Sequence, residues 1–127
     1  MREAIAYAKE REAFGQPILG FQNTKFVLAE CSTEVAAARA MLDQALDAHD
    51  EGELSPADAA RLKLFTTEVQ GRVIDKCLQV HGGYGYTLEY PIARLYADAR
   101  VTRIYGGTSE IMKTIIAKDM GLSARRD

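Results

Sequence analysis

The residues of this chain that could do chemistry cluster where helices start or stop. Arg11 stands three residues ahead of Phe14-Gly15 in the run REAFGQPILGFQ, which ends at Gln22. Gln79, Val80, His81, Gly82 and Gly83 fall together in QVHGGYGYTLEYP, and Tyr105, Gly106, Gly107, Thr108, Ser109 and Glu110 in IYGGTSEI. Arg11 by itself reads as a solvated cation at a helix end, although its guanidinium offers a planar fork of donors. Glycines let backbone approach a ligand closely and turn with positive φ. Gly82-Gly83 therefore reads both as a helix stop and as a cradle, beside a Gln79 that can donate and accept. Thr108 is an N-cap type, and the free N–H groups after it favour an acceptor. Glu110 in the first turn is explained by the helix dipole alone.

Spacing removes other chemistries. Di-metal carboxylate bundles need Glu-x-x-His pairs on facing helices, but His49 follows Leu46 by three and His81 follows Leu78, so no metal site is expected. GGYG does not continue into Gly-Lys-Ser/Thr, and no Gly-x-Gly-x-x-Gly opens a helix after a strand. Cys31 and Cys77 form no CxxC pair and read as reduced core thiols. The N-terminus lacks the basic-then-apolar layout of a signal peptide, so a cytoplasmic compartment is expected. A net charge of -2, a pI near 5.7 and no long block of like charges argue against nucleic acid and anionic membranes. No apolar run approaches the roughly 18 residues of a membrane span.

The elements that must position these residues are helical. Phe21, Thr24, Leu28, Cys31, Val35, Ala38, Leu42 and Ala45 recur at alternating steps of three and four, which predicts one long amphipathic helix from Gly20 to Glu51, stopped by Gly52. Ser55-Pro56-Ala57-Asp58 restarts the chain with an N-cap, a proline at the first helical position and an acid three residues after the cap. The helix that follows turns Leu62, Phe65, Val69, Val73, Cys77 and Val80 inward and ends at Gly82-Gly83. Its short connection to the first makes the two antiparallel. Further helices are predicted from Tyr90 to Arg103, from Thr108 to Asp119, and from Met1 to Glu12, the last read as the tail of a longer helix because it lacks an N-cap. No strand shows convincing alternation, and the polar tail 123–127 reads as disordered. The fold class is all-α, an antiparallel four-helix bundle over residues 1–122.

Together REAFGQPILGFQ, QVHGGYGYTLEYPIARLYAD and IYGGTSEI resemble the acyl-CoA dehydrogenase family, over nearly the whole chain from Met1 to Leu122. Gln79, Gly82, Gly83, Gly85, Tyr86, Glu89, Arg94 and Asp98 match its C-terminal signature. The resemblance implies an FAD enzyme that oxidises acyl-CoA thioesters to trans-2-enoyl-CoA, passes electrons to electron-transfer flavoprotein and works as a homodimer or homotetramer. It implies that this chain is the C-terminal bundle, with the N-terminal helical and middle β domains absent. Arg11 and Phe14 would meet the FAD diphosphate across a subunit interface, with Gln22 near the adenosine. Gln79, Val80, His81, Gly82 and Gly83 would meet the neighbouring subunit's FAD, and Thr108, Ser109 and Glu110 that of their own.

The same resemblance makes Tyr105, Gly106 and Gly107 the substrate segment. Short- and medium-chain members carry the catalytic glutamate where this chain has Gly106, so no catalytic residue is expected within the 127 residues. As in long-chain and isovaleryl-like members, the base would lie upstream of Met1 on the first bundle helix; otherwise the parent would be a non-dehydrogenating relative that binds flavin or CoA esters without oxidising them. The Gly106 N–H would hold the thioester carbonyl and stabilise charge developing there. Gly107 would allow close approach, and Tyr105 would border the acyl chain. The alternative is a non-catalytic helical oligomerisation or binding module without flavin.

Overall fold

The computed structural model describes residues 1–122. Its helices are α1 (Arg2–Glu10), α2 (Gln22–Asp50), α3 (Pro56–His81), α4 (Pro91–Arg100) and α5 (Ser109–Asp119), and a short antiparallel pair, β1 (Glu12–Ala13) and β2 (Gln16–Pro17), follows α1. The all-α expectation holds. The tail at 123–127 lies outside the described residues.

Helix starts and stops fall where the capping residues put them. Ser55 Oγ accepts from the Asp58 N–H at 3.0 Å and donates to the Asp58 carboxylate at 2.6 Å, a cap of the kind worth about 1 kcal/mol. Gly82 ends α3 with φ 57, in the left-handed region that a glycine enters without steric cost. Two boundaries differ from expectation. The first helix stops at Glu10, because Arg11 is extended and Glu12 and Ala13 pair with Pro17 and Gln16. Two-residue strands are too short to leave an alternation in the sequence. The fourth helix begins at Pro91 and tightens into a 3-10 turn over Val101–Arg103, a common way for a helix to end.

All four other helices pack on α3. Three of them run antiparallel to it. Glu30 meets Lys76 and Glu34 meets Arg72, each at 3.2 Å, so position falls along α3 as it rises along α2. Ser109 meets Glu68 at 2.9 Å and Asp119 meets Arg61 at 2.6 Å, giving α5 the same sense. For α4, Tyr90 lies beside His81 and Thr102 bonds Gln70 at 3.0 Å. The buried centre joins Ala4, Leu28, Cys31, Val69, Val73, Cys77 and Ile92. Most of these side chains are small, which lets helices come close.

The apolar seam of α2 is only partly used. Leu28 and Cys31 are buried, whereas Val35 on α2 and Phe65 on α3 are 42% and 38% exposed. Those two expected core positions face outward because the described residues leave the far halves of the α2–α3 hairpin partly uncovered. No helix among the described residues is long and apolar enough to cross a membrane.

Burial pushes the Cys31 thiol up to about 11, and the neighbouring Cys77 acts in the same direction. A value raised above the ordinary 9.0 means that the protonated thiol stabilises the fold fully below that pH, and the contribution is lost as pH climbs toward about 11. Thermal melts across that window should show a falling midpoint, and Cys31→Ala should flatten the slope. Identical slopes in the two proteins would contradict this account.

Candidate functional site

Two clusters emerge, at different levels of α3. At its C-terminal end Arg11, Gln79, Val80, His81, Gly82 and Gly83 line one open groove of about 540 Å³, together with Tyr7, Ile18, Tyr84 and Thr87. The break in α1 at Arg11 and the stop of α3 at Gly82 put a cation and bare backbone side by side. The Arg11 guanidinium lies 5.5 Å over the Tyr84 ring, a cation–π distance that orients it without neutralising it. A Cβ built at Gly83 would meet nothing within 4 Å, so the space above that backbone is open.

His81 forms the floor of this groove. It is 3% exposed, and its ring stacks on Tyr7 with centroids 4.5 Å apart. Its Nδ1 is 2.7 Å from the Cys77 carbonyl oxygen, which can only accept, so Nδ1 carries a proton. Burial pushes the Tyr7 hydroxyl up, opposed in part by the charge of Arg11. Tyr7, Tyr84 and Tyr90 thus form an aromatic wall that local motifs did not single out, because Tyr7 comes from α1 and the other two from the segment after α3.

Phe14 lies next door. It lines an adjoining groove of about 640 Å³ that shares Ile18, Gln79 and Val80 with the first. Phe14 and Gly15, at φ 53 and 79, form the two-residue turn of the β1–β2 pair, and such a turn needs positive φ at both positions. A bulky residue held there is strained and is a pointer to function. Its ring is 96% exposed yet meets Phe21 edge to face at 6.2 Å. Gln22 opens α2 but lines neither groove.

The second cluster surrounds the start of α5. Thr108 caps the helix, its hydroxyl accepting from the Ile111 N–H at 3.4 Å. The Glu110 carboxylate is held below its ordinary range, first by its own backbone N–H and then by the Thr108 hydroxyl. Gly106 and Gly107 both have positive φ, 62 and 99, while Tyr105 is 60% exposed. Three residues of this cluster escaped sequence reasoning. Lys63 Nζ donates to the carbonyls of Gly107 at 2.5 Å and Thr102 at 3.3 Å. Glu68 receives the Ser109 hydroxyl at 2.9 Å and pairs with Arg103 at 3.2 Å. On a helix surface these are ordinary charged residues, so spacing gives no signal.

From Lys63 to Gln79 is about 24 Å along the helix, at roughly 1.5 Å per residue. One end of α3 therefore presents a cation, an amide and open backbone, and another level presents a glycine loop and a helix start. No cluster of three or more His, Cys, Asp or Glu side chains suited to a metal occurs among the described residues.

Comparisons with known proteins agree on one family. Residues 1–121 match the family described as acyl-CoA dehydrogenase, C-terminal domain. The long-chain specific acyl-CoA dehydrogenase of Sus scrofa mitochondria is 46% identical over 118 residues, which is 93% of this chain and 27% of that enzyme. The acryloyl-CoA reductase (NADH) of Anaerotignum propionicum is 41% identical over 92% of this chain and 30% of its own length. A crystal structure of acyl-CoA dehydrogenase from Geobacillus kaustophilus superposes with a TM-score of 0.91 at 42% identity, covering 94% of this chain and 31% of that one. The chain thus spans less than a third of each of these proteins.

The two loop glycines differ in what surrounds them. A Cβ at Gly107 would fall 2.5 Å from Met112 Cε, whereas one at Gly106 would find Lys63 Cε at 3.9 Å, an ordinary contact. Both substitutions force an L side chain into left-handed backbone, a cost of about 1–2 kcal/mol. Met112 Cε is the free end of a flexible side chain and can give way, so the backbone decides. Both Gly106→Ala and Gly107→Ala should destabilise the chain by about 1–2 kcal/mol in urea unfolding, Gly107→Ala more because its φ of 99 lies further from the left-handed well. No loss in either variant would show that the loop relaxes to accept a side chain.

Proposed function

Because the chain belongs to the acyl-CoA dehydrogenase family, as its C-terminal domain, we propose that it serves an FAD-dependent enzyme that oxidises acyl-CoA thioesters to trans-2-enoyl-CoA. The observation that carries this reading is the convergence of Arg11, Gln79, Gly82 and Gly83 on one open groove. That set fits a flavin dinucleotide: a fork of donors for the diphosphate, an amide that both donates and accepts, and backbone with free space above it. FAD, when bound, supplies the ring that accepts a hydride.

The chain's own residues then bind, orient and polarise. Arg11 and Phe14 hold the diphosphate region, Gln22 lies toward the adenosine, and Gln79 to Gly83, with Val80 and His81, close around a neighbouring subunit's cofactor. Thr108, Ser109 and Glu110 face the cofactor of their own subunit. The separation of these two groups along α3 supports cofactors shared between copies, and hence a homo-oligomer. The partly uncovered far half of the α2–α3 hairpin, with Val35 and Phe65 exposed, suits burial in such an assembly. Gly106 presents its N–H to the thioester carbonyl, where the bond strengthens as negative charge develops. Gly107 keeps the loop close to the substrate and Tyr105 borders the acyl chain.

Within the chain no residue is assigned as the base. Gly106 has no side chain, and Glu110 is held ionised by its helix start, which weakens it as a proton acceptor. The base is assigned to a residue upstream of position 1, and the N-terminal and middle domains to segments outside these 127 residues. Electron-transfer flavoprotein is the proposed electron acceptor. The unbridged Cys31 and Cys77 suit a reducing compartment, and the cytoplasm is the proposed one, while the Sus scrofa relative is mitochondrial.

The test is purification of the chain alone and of the longer protein that adds those domains. The longer protein should be yellow and bleach with an acyl-CoA, and Arg11→Ala should lower its flavin content. The 127 residues alone should neither turn over acyl-CoA nor retain FAD. A longer protein that is colourless and inert would overturn the reading in favour of a helical binding module.

A further inference from the structure

The loop between α4 and α5 ties Ile104 and Tyr105 back to the Val101 carbonyl, and these bonds stop short of Gly106. Gly106 and Gly107 occupy positive φ in succession, and neither has a side chain to lock the peptide planes on either side. A brace for that stretch comes from α3. Lys63 sends its ammonium to two backbone carbonyls, Gly107 at 2.5 Å and Thr102 at 3.3 Å, which lie on either side of Gly106 in the chain. Its Cε is the nearest atom to the space a Gly106 side chain would occupy, at 3.9 Å. Among the described residues Lys63 has no carboxylate partner, and Glu68, a turn and a half further along α3, is taken by Arg103 and the Ser109 hydroxyl. A partly buried ammonium that gives up water for two neutral carbonyls costs desolvation without the return of an ion pair. For joining α3 to a loop, a neutral donor would be the less costly choice.

We propose that Lys63 is a positioning residue for the reaction: its ammonium pins the loop at the Thr102 carbonyl before Gly106 and at the Gly107 carbonyl after it, so that the segment carrying the Gly106 N–H is held from both sides, while its uncompensated charge favours negative charge on an oxygen held there. The inference rests on the reading of Gly106 as the thioester-carbonyl donor. Charge placed before the reaction costs no reorganisation during it, which is why such a group acts on the transition state more than on the bound substrate.

The test uses Lys63→Met, which removes donor and charge, and Lys63→Gln, which keeps a donor. In the flavin-loaded longer enzyme kcat should fall about a hundredfold in Lys63→Met and about tenfold in Lys63→Gln, with KM and flavin content near the parent's. A tie that only stabilises the fold would lower the melting temperature and leave kcat of the folded enzyme unchanged, and that result overturns the proposal. So would an equal kcat loss in both variants with unchanged amide exchange at Gly106, Gly107 and Thr108. If Lys63→Met does not fold, the Lys63→Gln prediction decides alone. Amide exchange in the chain itself separates the two readings: about tenfold faster exchange at those three residues in Lys63→Gln supports the hold on the loop even where the unsubstituted enzyme proves inert toward acyl-CoA. Unchanged exchange overturns that hold whatever the parent's activity.

Discussion

Every other helix in this chain is held by α3, and each candidate site is a statement about where on α3 its partners land. Antiparallel packing fixes those landings in order: α2 and α4 begin near the end where α3 stops, and α5 begins nearer the middle. The close approach is possible because the shared interior is built mostly from small side chains, Ala4, Cys31, Val69, Val73 and Cys77, with Leu28 and Ile92 the larger members. A bulkier core would push the helices apart and move Arg11 away from Gln79. The groove is thus a consequence of a tight core several turns away from it.

Much of this was legible in the residues. The Ser55 and Thr108 caps, the Gly82 stop and the antiparallel α2–α3 hairpin follow from local chemistry that acts over three or four residues. Arg11, Gln79 and the glycine pairs were visible as motifs, and their convergence depended on tertiary packing that only the family resemblance foreshadowed. What stayed hidden was chemistry assembled from distant segments. Tyr7, Tyr84 and Tyr90 share a wall but no sequence period, and Lys63, Glu68 and Arg103 look like the solvated charges any helix carries. The outward-facing Val35 and Phe65 were misread for the opposite reason: a seam predicts that something covers it, not that the same chain does.

The Gly106-Gly107 loop shows how losing a side chain can transfer a task to another element. Without a carboxylate at 106 the loop offers backbone only, and backbone at positive φ holds its direction only when something outside it does the holding. Lys63 and the Glu68–Ser109 contact do so from α3, so the loop inherits the rigidity of a long helix instead of supplying its own.

The groove at the end of α3 is also where two helices finish, α1 at Arg11 and α3 at Gly82, both of which line it. Helix ends of that kind carry partial negative charge, which opposes an anion. Among the described residues that line the groove, Arg11 carries the one permanent charge. The attraction that this end exerts on an anion is therefore no more than that of a single cation. It fades with ionic strength over about 10 Å, and it leaves recognition to shape and hydrogen bonds rather than to long-range steering.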